Sequence, residues 1–187
     1  MANLDTYLAT PLWLAPMAGV TDRAFRSLCL RHGAGLTFSE MVSAKGLEYN
    51  GVKTFALTDP AEDEAVLAVQ LFGSEPDCMA RQAVRVAERL GDRLALIDVN
   101  MGCPVRKVVR RGEGSALMQT PKLASDIIRS IVDAVDGLRL QPIQDMGEAL
   151  KHGLYREKVV VGGTGLNFST GRKSTYLSGI GKLSLQI

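Results

Sequence analysis

The amino-acid sequence predicts an α/β fold built around a parallel sheet. Short apolar runs of strand length alternate with longer segments in which apolar residues recur every three or four positions, as they do on one face of a helix. One run, AVLAVQLFG, is almost continuously apolar, which is typical of a strand buried on both faces of a parallel sheet. Strands and helices that alternate in this way form β-α units with right-handed connections.

The first half of the chain contains three predicted strands. PLWLAPM forms the first, and TDRAFRSLCLRHG predicts a helix that is capped by Thr21 or Asp22 and stops at Gly33. GLTFSEM and AVLAVQLFG form the second and third strands. The apolar face of the helix is expected to carry Phe25, Leu28 and Cys29.

The helix after the third strand has the clearest pattern in the chain. A capping box of Ser74 and Asp77 begins it, Pro76 lies in its first turn, and Gly91 ends it. Its apolar positions predict a face packed on the sheet, whereas three arginines at four-residue spacing predict a solvent face opposite. The apolar set is Met79, Ala83, Val86 and Leu90, and the arginines are Arg81, Arg85 and Arg89.

RLALIDVN predicts the fourth strand, and Thr120 with Pro121 begins a helix that ends near Val135. Composition then changes, because 9 of the 19 glycines lie in the last 51 residues and the net charge passes from −2 to +4. We therefore predict a boundary, with residues 1–136 as the amino-terminal part of the α/β domain and 137–187 as a divergent glycine-rich tail. The tail contains one helical pattern, IQDMGEALKHGLYRE, and one short strand, KVVVGG.

Four residues stand where a predicted strand gives way to its loop, namely Met17, Glu40, Gln70 and Asn100. A (β/α)8 TIM-type barrel builds its active site from these carboxyl ends. A doubly wound sheet also binds ligands there, but no G-x-G-x-x-G follows the first strand, so the barrel is favoured. A complete barrel needs about 250 residues, and roughly four to five β-α units are recognisable, so we expect an incomplete barrel.

The composition excludes several classes of protein. No apolar run approaches the roughly 18 residues of a membrane span, and the first ten residues lack a signal pattern, so a cytoplasmic protein is expected. Cys29, Cys78 and Cys103 are odd in number and show no C-x-x-C spacing, which predicts reduced thiols without disulfides or zinc. A net charge of +2 is too small to identify a nucleic-acid-binding protein.

Four segments in order, APMAGVTDRAFR, SEMVSAKGL, VQLFGSEP and VNMGCP, resemble the dihydrouridine synthases, flavin enzymes that reduce selected uridines in transfer RNA. The resemblance covers residues 11–135. It implies an FMN-binding barrel, NADPH as reductant and transfer RNA as substrate. In this family a smaller helical domain follows the barrel, and we expect the sequence to lack it.

The resemblance also implies roles for individual residues. Pro16, Met17 and Ala18 match the first FMN contact, and Gln70 matches the residue that hydrogen-bonds the flavin ring. Cys103 matches the general acid that protonates uracil C5 while hydride reaches C6, and Asn100 matches a residue near the uracil. Without the resemblance there are plainer interpretations: Pro16, Met17 and Ala18 form an ordinary turn, Gln70 is an amide that caps a strand, and Cys103 is a small buried side chain.

Arg106, Lys107, Arg110 and Arg111 follow Cys103 within one short segment. A run of cations is usually a solvated loop, but beside a reaction centre it could bind the phosphates that flank an extruded uridine. We therefore predict that these four residues contact RNA.

The tail departs from the family pattern, because DGLRLQPIQDM stands where a fifth strand with a Lys and Arg pair is expected. A truncated or frame-shifted gene would account for it, as would a half-barrel completed by a second copy or a partner chain. Two other functions remain open: an inactive remnant with weak FMN or RNA binding, and a different FMN barrel reductase acting on a small enone.

Overall fold

The computed structural model describes residues 12–136, 159–163, 166–168 and 182–183. The helix predicted for IQDMGEALKHGLYRE lies outside the described residues, whereas the strand predicted for KVVVGG is present. The division of the chain at residue 136 stays a prediction.

The strands within these residues are β1 Trp13–Leu14, β2 Leu36–Thr37, β3 Val42–Ser43, β4 Leu67–Phe72, β5 Leu94–Asn100, β6 Val159–Gly163, β7 Leu166–Phe168 and β8 Lys182–Leu183. The α-helices are α1 Arg23–Arg31, α2 Ala44–Glu48, α3 Val52–Ala56, α4 Pro76–Leu90, α5 Arg106–Val109 and α6 Pro121–Asp136. Two 3-10 helices span Gly91–Arg93 and Gly114–Gln119.

The sheets are parallel through β6, as the sequence predicts. β1 pairs with β2, and β3, β4, β5 and β6 pair in that order, each pair in parallel. A parallel bridge between Phe38 and Ala68 connects β2 to β4, so β2 and β3 follow the same edge of β4. β7 is antiparallel to β6, and β8 is parallel to β7. The predicted α/β class is therefore confirmed.

One face of β4 and β5 packs against α4 and α6. Because successive side chains of a strand alternate between faces, Val69 and Leu71 of β4 lie on the same side as Ile97 and Val99 of β5. The helices add fully buried side chains to this core, and each such aliphatic side chain contributes about 1.5–3 kcal/mol to folding. The contributing helical residues include Met79, Ala83, Val86, Ile127 and Ile131.

The opposite face of the same strands is apolar at one end and polar at the other. Ala68 and Leu96 form a small buried cluster with Leu36 and Phe38, and the Trp13 ring lies 6.2 Å from the Phe38 ring. Toward the carboxyl ends of β4 and β5, amides and a carboxylate replace the apolar side chains. This change of character along one face positions the candidate site.

The buried side of α1 differs from the predicted one. Asp22 caps the helix as expected, accepting the Phe25 N–H at 2.8 Å. However, Leu28 is 48% exposed, while Arg26 is buried. Arg26 faces the interior because Glu64, also buried, accepts three of its hydrogen bonds at 2.9–3.2 Å. A buried ion pair thus replaces the apolar face that the periodicity predicts.

The start of α4 also differs from the prediction. The N-cap is Glu75, which makes no side-chain capping bond, and Pro76 is the first helical residue. Ser74 is not the cap, because the helix begins one residue later than the pattern predicts, and its hydroxyl donates to the Arg111 carbonyl oxygen at 3.0 Å. The hydroxyl therefore bonds the loop after β5 and not the helix. Gly91 ends the helix as predicted.

The arginine stripe of α4 is not merely a solvent face. Arg81 pairs with Glu48, and Arg89 with Asp59 at 2.6 Å. Arg85 donates to the Leu47 carbonyl oxygen at 2.9 Å. The Arg85 and Arg89 guanidinium carbons lie 4.7 and 5.6 Å from the centroid of the Phe55 ring, within the range of cation–π attraction. The stripe therefore holds residues 44–59 against α4.

None of the helices in the described part of the chain is long and apolar enough to cross a membrane. All three cysteines are described, and each is a free thiol.

Candidate active site

A row of buried polar side chains crosses β4 and β5 on the face opposite the helices. Gln70 and Asp98 are register partners, and Asn100 lies two residues beyond Asp98 on the same face. The Gln70 side-chain N–H donates to Asp98 Oδ2, and the Asn100 side-chain N–H donates to Gln70 Oε1 at 2.8 Å. All three are at most 2% exposed. We call Asp98, Gln70 and Asn100 the amide ladder.

Gln70 stands within β4 rather than at its end, since the strand continues to Phe72. The prediction that it marks the carboxyl end was therefore wrong by two residues. Its side chain still reaches the residues that lead into the next loop, because β5 ends at Asn100. The main-chain N–H of Gln70 donates to the Ser39 hydroxyl at 3.1 Å, which ties β4 to the residues after β2.

Cys103 lies in the loop that follows Asn100, and it is 7% exposed. Asn100 Oδ1 accepts the main-chain N–H of Cys103 at 3.0 Å and that of Gly102 at 3.3 Å. An asparagine that accepts from residues two and three positions ahead forms a local turn, so the last residue of β5 folds the cysteine loop back on itself. On the other side, the Ser115 N–H donates to the Cys103 carbonyl oxygen at 3.0 Å.

The ladder leaves a small set of polar atoms for a ligand. Asn100 Oδ1 is occupied twice, but one side-chain N–H of Asn100 and one of Gln70 have no bond within the described residues, and Gln70 Oε1 accepts only once. A flavin ring edge presents both N–H and C=O groups, and an amide can satisfy both. The donor set at Gln70 therefore fits the ring of FMN.

The loop that contains Pro16, Met17 and Ala18 is a second, separate part of the site. The Met17 carbonyl oxygen accepts the Val20 N–H at 3.1 Å and the Thr21 N–H at 3.0 Å. The Thr21 hydroxyl lies 3.1 Å from both the N and O atoms of Met17. Pro16 is half-buried, whereas Met17 and Ala18 are exposed. None of these hydrogen bonds reaches the amide ladder.

Glu40 connects this first loop to the second strand. Its carboxylate accepts the main-chain N–H of Gly19, and its own carbonyl oxygen accepts the Ser39 hydroxyl at 2.7 Å. Since Ser39 also bonds Gln70, a continuous path of hydrogen bonds leads from the first loop to the ladder. A cleft of about 420 Å³ lies beside the first loop; its lining includes Thr21, Asp22, Arg23, Arg26, Glu40 and Leu57.

The four cations after Cys103 are each exposed in and directly after one short helix. Arg106 and Lys107 lie in α5, and Arg110 and Arg111 follow it directly. All four are exposed, and none forms an ion pair with another residue in the part of the chain that the structure describes. Four exposed cations thus follow Cys103 within eight residues, without a salt bridge to any residue that the structure describes.

Sequence reasoning missed three residues around this loop. Asp98 belongs to the amide ladder. The sequence does contain a sign of this, because Asp98 and Asn100 are two residues apart in a strand and so lie on the same face. Glu113 is 4% exposed, and its Oε2 atom has no hydrogen-bond partner among the described residues. Burial raises the pKa of the Glu113 carboxyl, while the charges of Arg111 and Lys45 oppose the increase. Gly114, the next residue, lies directly against Cys103.

Comparison with known proteins gives one consistent result. The family model described as dihydrouridine synthase (Dus) matches residues 13–143. A tRNA-dihydrouridine synthase B of Shewanella oneidensis is 44% identical over 129 residues, which is 69% of this chain and 39% of that protein. The enzymes of the same name from Vibrio parahaemolyticus and Salmonella typhimurium are each 43% identical over 129 residues, with the same coverage of both chains. The chain thus spans about two-fifths of the length of these curated relatives.

Proposed function

Because this chain belongs to the dihydrouridine synthase family, we propose that it carries the proton-donating part of a flavin-dependent site that reduces the C5–C6 double bond of uridine in transfer RNA. The relatives are named for that activity. In this proposal, the parallel strands belong to a TIM-type barrel whose carboxyl edge holds the site.

The observation that carries the proposal is the position of Cys103. It follows the last residue of β5, and its main-chain N–H is bound by Asn100, which is itself bonded to the proposed flavin-ring residue Gln70. An acid and a ring-binding amide that share one hydrogen-bonded partner can be held in a fixed relative position. Such preorganisation is what a proton transfer to a bound substrate requires.

The chemistry needs two hydrogens from different sources. Reduced FMN, when bound, supplies a hydride and is regenerated by NADPH. The Cys103 thiol is the proton donor in this proposal. Uracil gains hydride at C6 and the thiol proton at C5, which leaves a thiolate that takes up a proton from water. The remaining N–H groups of Gln70 and Asn100 bind the flavin ring and the uracil, respectively.

The cations Arg106, Lys107, Arg110 and Arg111 bind the RNA backbone in this proposal. Their exposure and lack of partners among the described residues support that role over a structural one. Binding that depends on such contacts weakens steeply with salt, by a logarithmic slope of about 0.7–0.9 for each phosphate neutralised. Pro16, Met17 and Ala18 contact the flavin from the first loop in this proposal, with Pro16 and Ala18 supplying the main-chain groups because those of Met17 bond Val20 and Thr21.

The test uses the full 187-residue chain with added FMN. We expect flavin absorbance to elute with the protein in gel filtration, and unmodified transfer RNA to gain two hydrogens per modified uridine by mass spectrometry when NADPH is present. A Cys103→Ala variant should retain the flavin and lose about 100-fold or more in rate, the usual contribution of a general acid.

Cys29→Ala is the matched control, since it removes a thiol that takes no part in the proposed site. A protein that elutes without flavin, or two cysteine variants with equal activity, would contradict the proposal. Reduction of a small enone without RNA would instead support the alternative reductase.

A further inference from the structure

We infer that Gly114 is a positioning residue for Cys103: the absence of a side chain at residue 114 sets where the cysteine main chain, and hence its thiol, comes to rest. This inference rests on the proposed function, in which that thiol is the proton donor. It concerns a residue that lies eleven positions further along the chain, at the start of the 3-10 helix Gly114–Gln119.

The first observation is steric. A Cβ atom placed on Gly114 would lie 2.7 Å from the Cys103 carbonyl oxygen and 3.2 Å from the Cys103 Cβ. Contacts under 3.0 Å essentially never occur for real Cβ atoms. Because the nearer atom belongs to the main chain, it cannot rotate away as a flexible side chain would. A side chain at residue 114 must therefore shift the main chain of Cys103 or of residue 114, and either shift changes how the two segments meet.

The second observation is a pair of hydrogen bonds on either side of the cysteine. The Cys103 N–H is held by Asn100 Oδ1, and the Cys103 carbonyl oxygen is held by the Ser115 N–H, each at 3.0 Å. The two peptide groups that flank the Cys103 α-carbon are thus fixed by different segments of the chain. Gly114 lets the second segment come close enough for its bond to form.

The third observation connects Gly114 to the basic helix. The same Cβ atom would lie 2.9 Å from Cγ1 of Val108, the buried residue of α5. Displacing Val108 would move the helix that carries Arg106 and Lys107. A side chain at residue 114 would therefore disturb the proposed acid and two proposed RNA contacts together.

Gly112 supplies a matched comparison. Its φ is +72° and that of Gly114 is +61°, so both occupy the left-handed region that favours glycine. At Gly112, however, the nearest atom to an added Cβ is the Ser74 Cβ at 3.9 Å, an ordinary contact. The two glycines share the conformational requirement, and only Gly114 has the close approach to Cys103.

The test compares Gly114→Asn with Gly112→Asn in the full chain. Asparagine tolerates the left-handed region better than most residues, so backbone strain is small and similar in both. The readout is the rate at which iodoacetamide alkylates Cys103, measured by peptide mass mapping, with Cys29 in the same sample as reference. We expect the alkylation rate of Cys103 to change about tenfold in Gly114→Asn and less than about twofold in Gly112→Asn. The reason is that only the first substitution disturbs the segment whose opening exposes the thiol.

The thermal melting curve separates positioning from general damage. A Gly114→Asn variant that melts cooperatively and still shows the altered Cys103 rate supports the inference, because a purely structural role would change the rates of both thiols together. Equal Cys103 rates in the two variants, or no change in either, would overturn it.

A measurement on the unsubstituted chain covers the case in which Gly114→Asn does not fold. If the segment at Gly114 and Ser115 holds Cys103, one opening event must release both the Ser115 amide and the Cys103 thiol. The opening constants from hydrogen exchange at Ser115 and from alkylation at Cys103 should then agree within about threefold. An opening constant for the Cys103 thiol that is much larger than the one for the Ser115 amide would refute the inference.

Alkylation and hydrogen exchange need neither flavin nor RNA. A chain that retains no flavin would therefore contradict the proposed function and leave the position of Cys103 still measurable. If the enzyme is active and the alkylation rate of Cys103 is the same with and without the substitution at residue 114, only the inference about Gly114 is contradicted.

Discussion

The side chain of Asn100 holds the main chain of Cys103, through a hydrogen bond of 3.0 Å from the Cys103 N–H to Asn100 Oδ1. The same oxygen accepts the Gly102 N–H, and the amide nitrogen donates to Gln70. The side chain of Asn100 therefore makes three hydrogen bonds to other residues of the protein. A residue that the sequence suggests as a substrate contact is also the support of the proposed acid.

Replacing Asn100 should loosen this loop. Asn100→Ala removes the acceptor of two main-chain N–H groups and the donor to Gln70, so we expect a loss of about 1–3 kcal/mol in the free energy of unfolding, measured by urea denaturation. Asn100→Asp keeps the acceptor oxygen and loses the donor. The protection of its Cys103 amide from hydrogen exchange should stay close to that of the parent although its stability falls. Equal protection of this amide in the two variants would contradict the assigned role.

The buried ion pair of Arg26 and Glu64 should be sensitive to change on either side. Glu64 also accepts the Ala61 N–H at 2.8 Å and the Thr37 hydroxyl, so a glutamine at this position would set an NH2 donor against donors that one of the carboxylate oxygens accepts. Glu64→Gln leaves the Arg26 charge buried, and we expect a cost of about 3–5 kcal/mol in urea denaturation. Lys122→Ala, which breaks an exposed pair with Asp126, is the control and should cause no resolvable change. Similar effects in the two variants would disprove the prediction.

The buried Glu113 carboxyl should make stability depend on pH. Burial raises its pKa in the folded state, so the folded chain binds this proton more tightly than the unfolded chain. Its contribution is fully present below the ordinary carboxyl pKa and is lost as pH rises through the raised value. The stability of Glu113→Gln relative to the parent should therefore increase between about pH 4 and pH 7, followed by urea midpoints.

The control for Glu113 is Glu88→Gln, which changes an exposed carboxyl on α4. Its stability difference from the parent should stay nearly constant over the same pH range. A Glu113→Gln difference that is equally flat would show that the carboxyl does not titrate between these limits.

Cys78 should react more slowly than Cys29. A thiol near the N-terminus of a helix can have a lowered pKa, but burial, followed by the charge of Glu48, raises the pKa of Cys78. Cys29 is only half-buried. Glu48→Gln removes the nearby negative charge and should accelerate alkylation of Cys78 at pH 8, with the Cys29 rate as internal reference. A slower or unchanged Cys78 rate would contradict this account.

The sequence predicts α4 and α6 well because each is long and strongly periodic, and it predicts β4 and β5 well because each is a nearly continuous apolar run. It fails where a distant segment competes for a local group. Ser74 has the spacing of a helix cap, yet its hydroxyl bonds a carbonyl oxygen 37 residues away. Such contacts depend on how loops meet in the fold, and no local pattern encodes them.

The candidate site shows the same limit at the level of single side chains. Motif resemblance identified Gln70, Asn100 and Cys103, which the structure places in one hydrogen-bonded group. Asp98 was missed because its role depends on the register between β4 and β5. Gly114 was missed because its importance lies in the atom it lacks, and only the three-dimensional position of Cys103 reveals that.

The amide ladder also bears on how this surface can change over evolutionary time. Each of its bonds needs a donor on one strand and an acceptor on the other, so a single substitution leaves a mismatched group in the interior. Substitutions at residues 70, 98 and 100 should consequently be non-additive, and among homologues these three positions should covary. Redesign of this face of the sheet would therefore require the three side chains to be exchanged as a set.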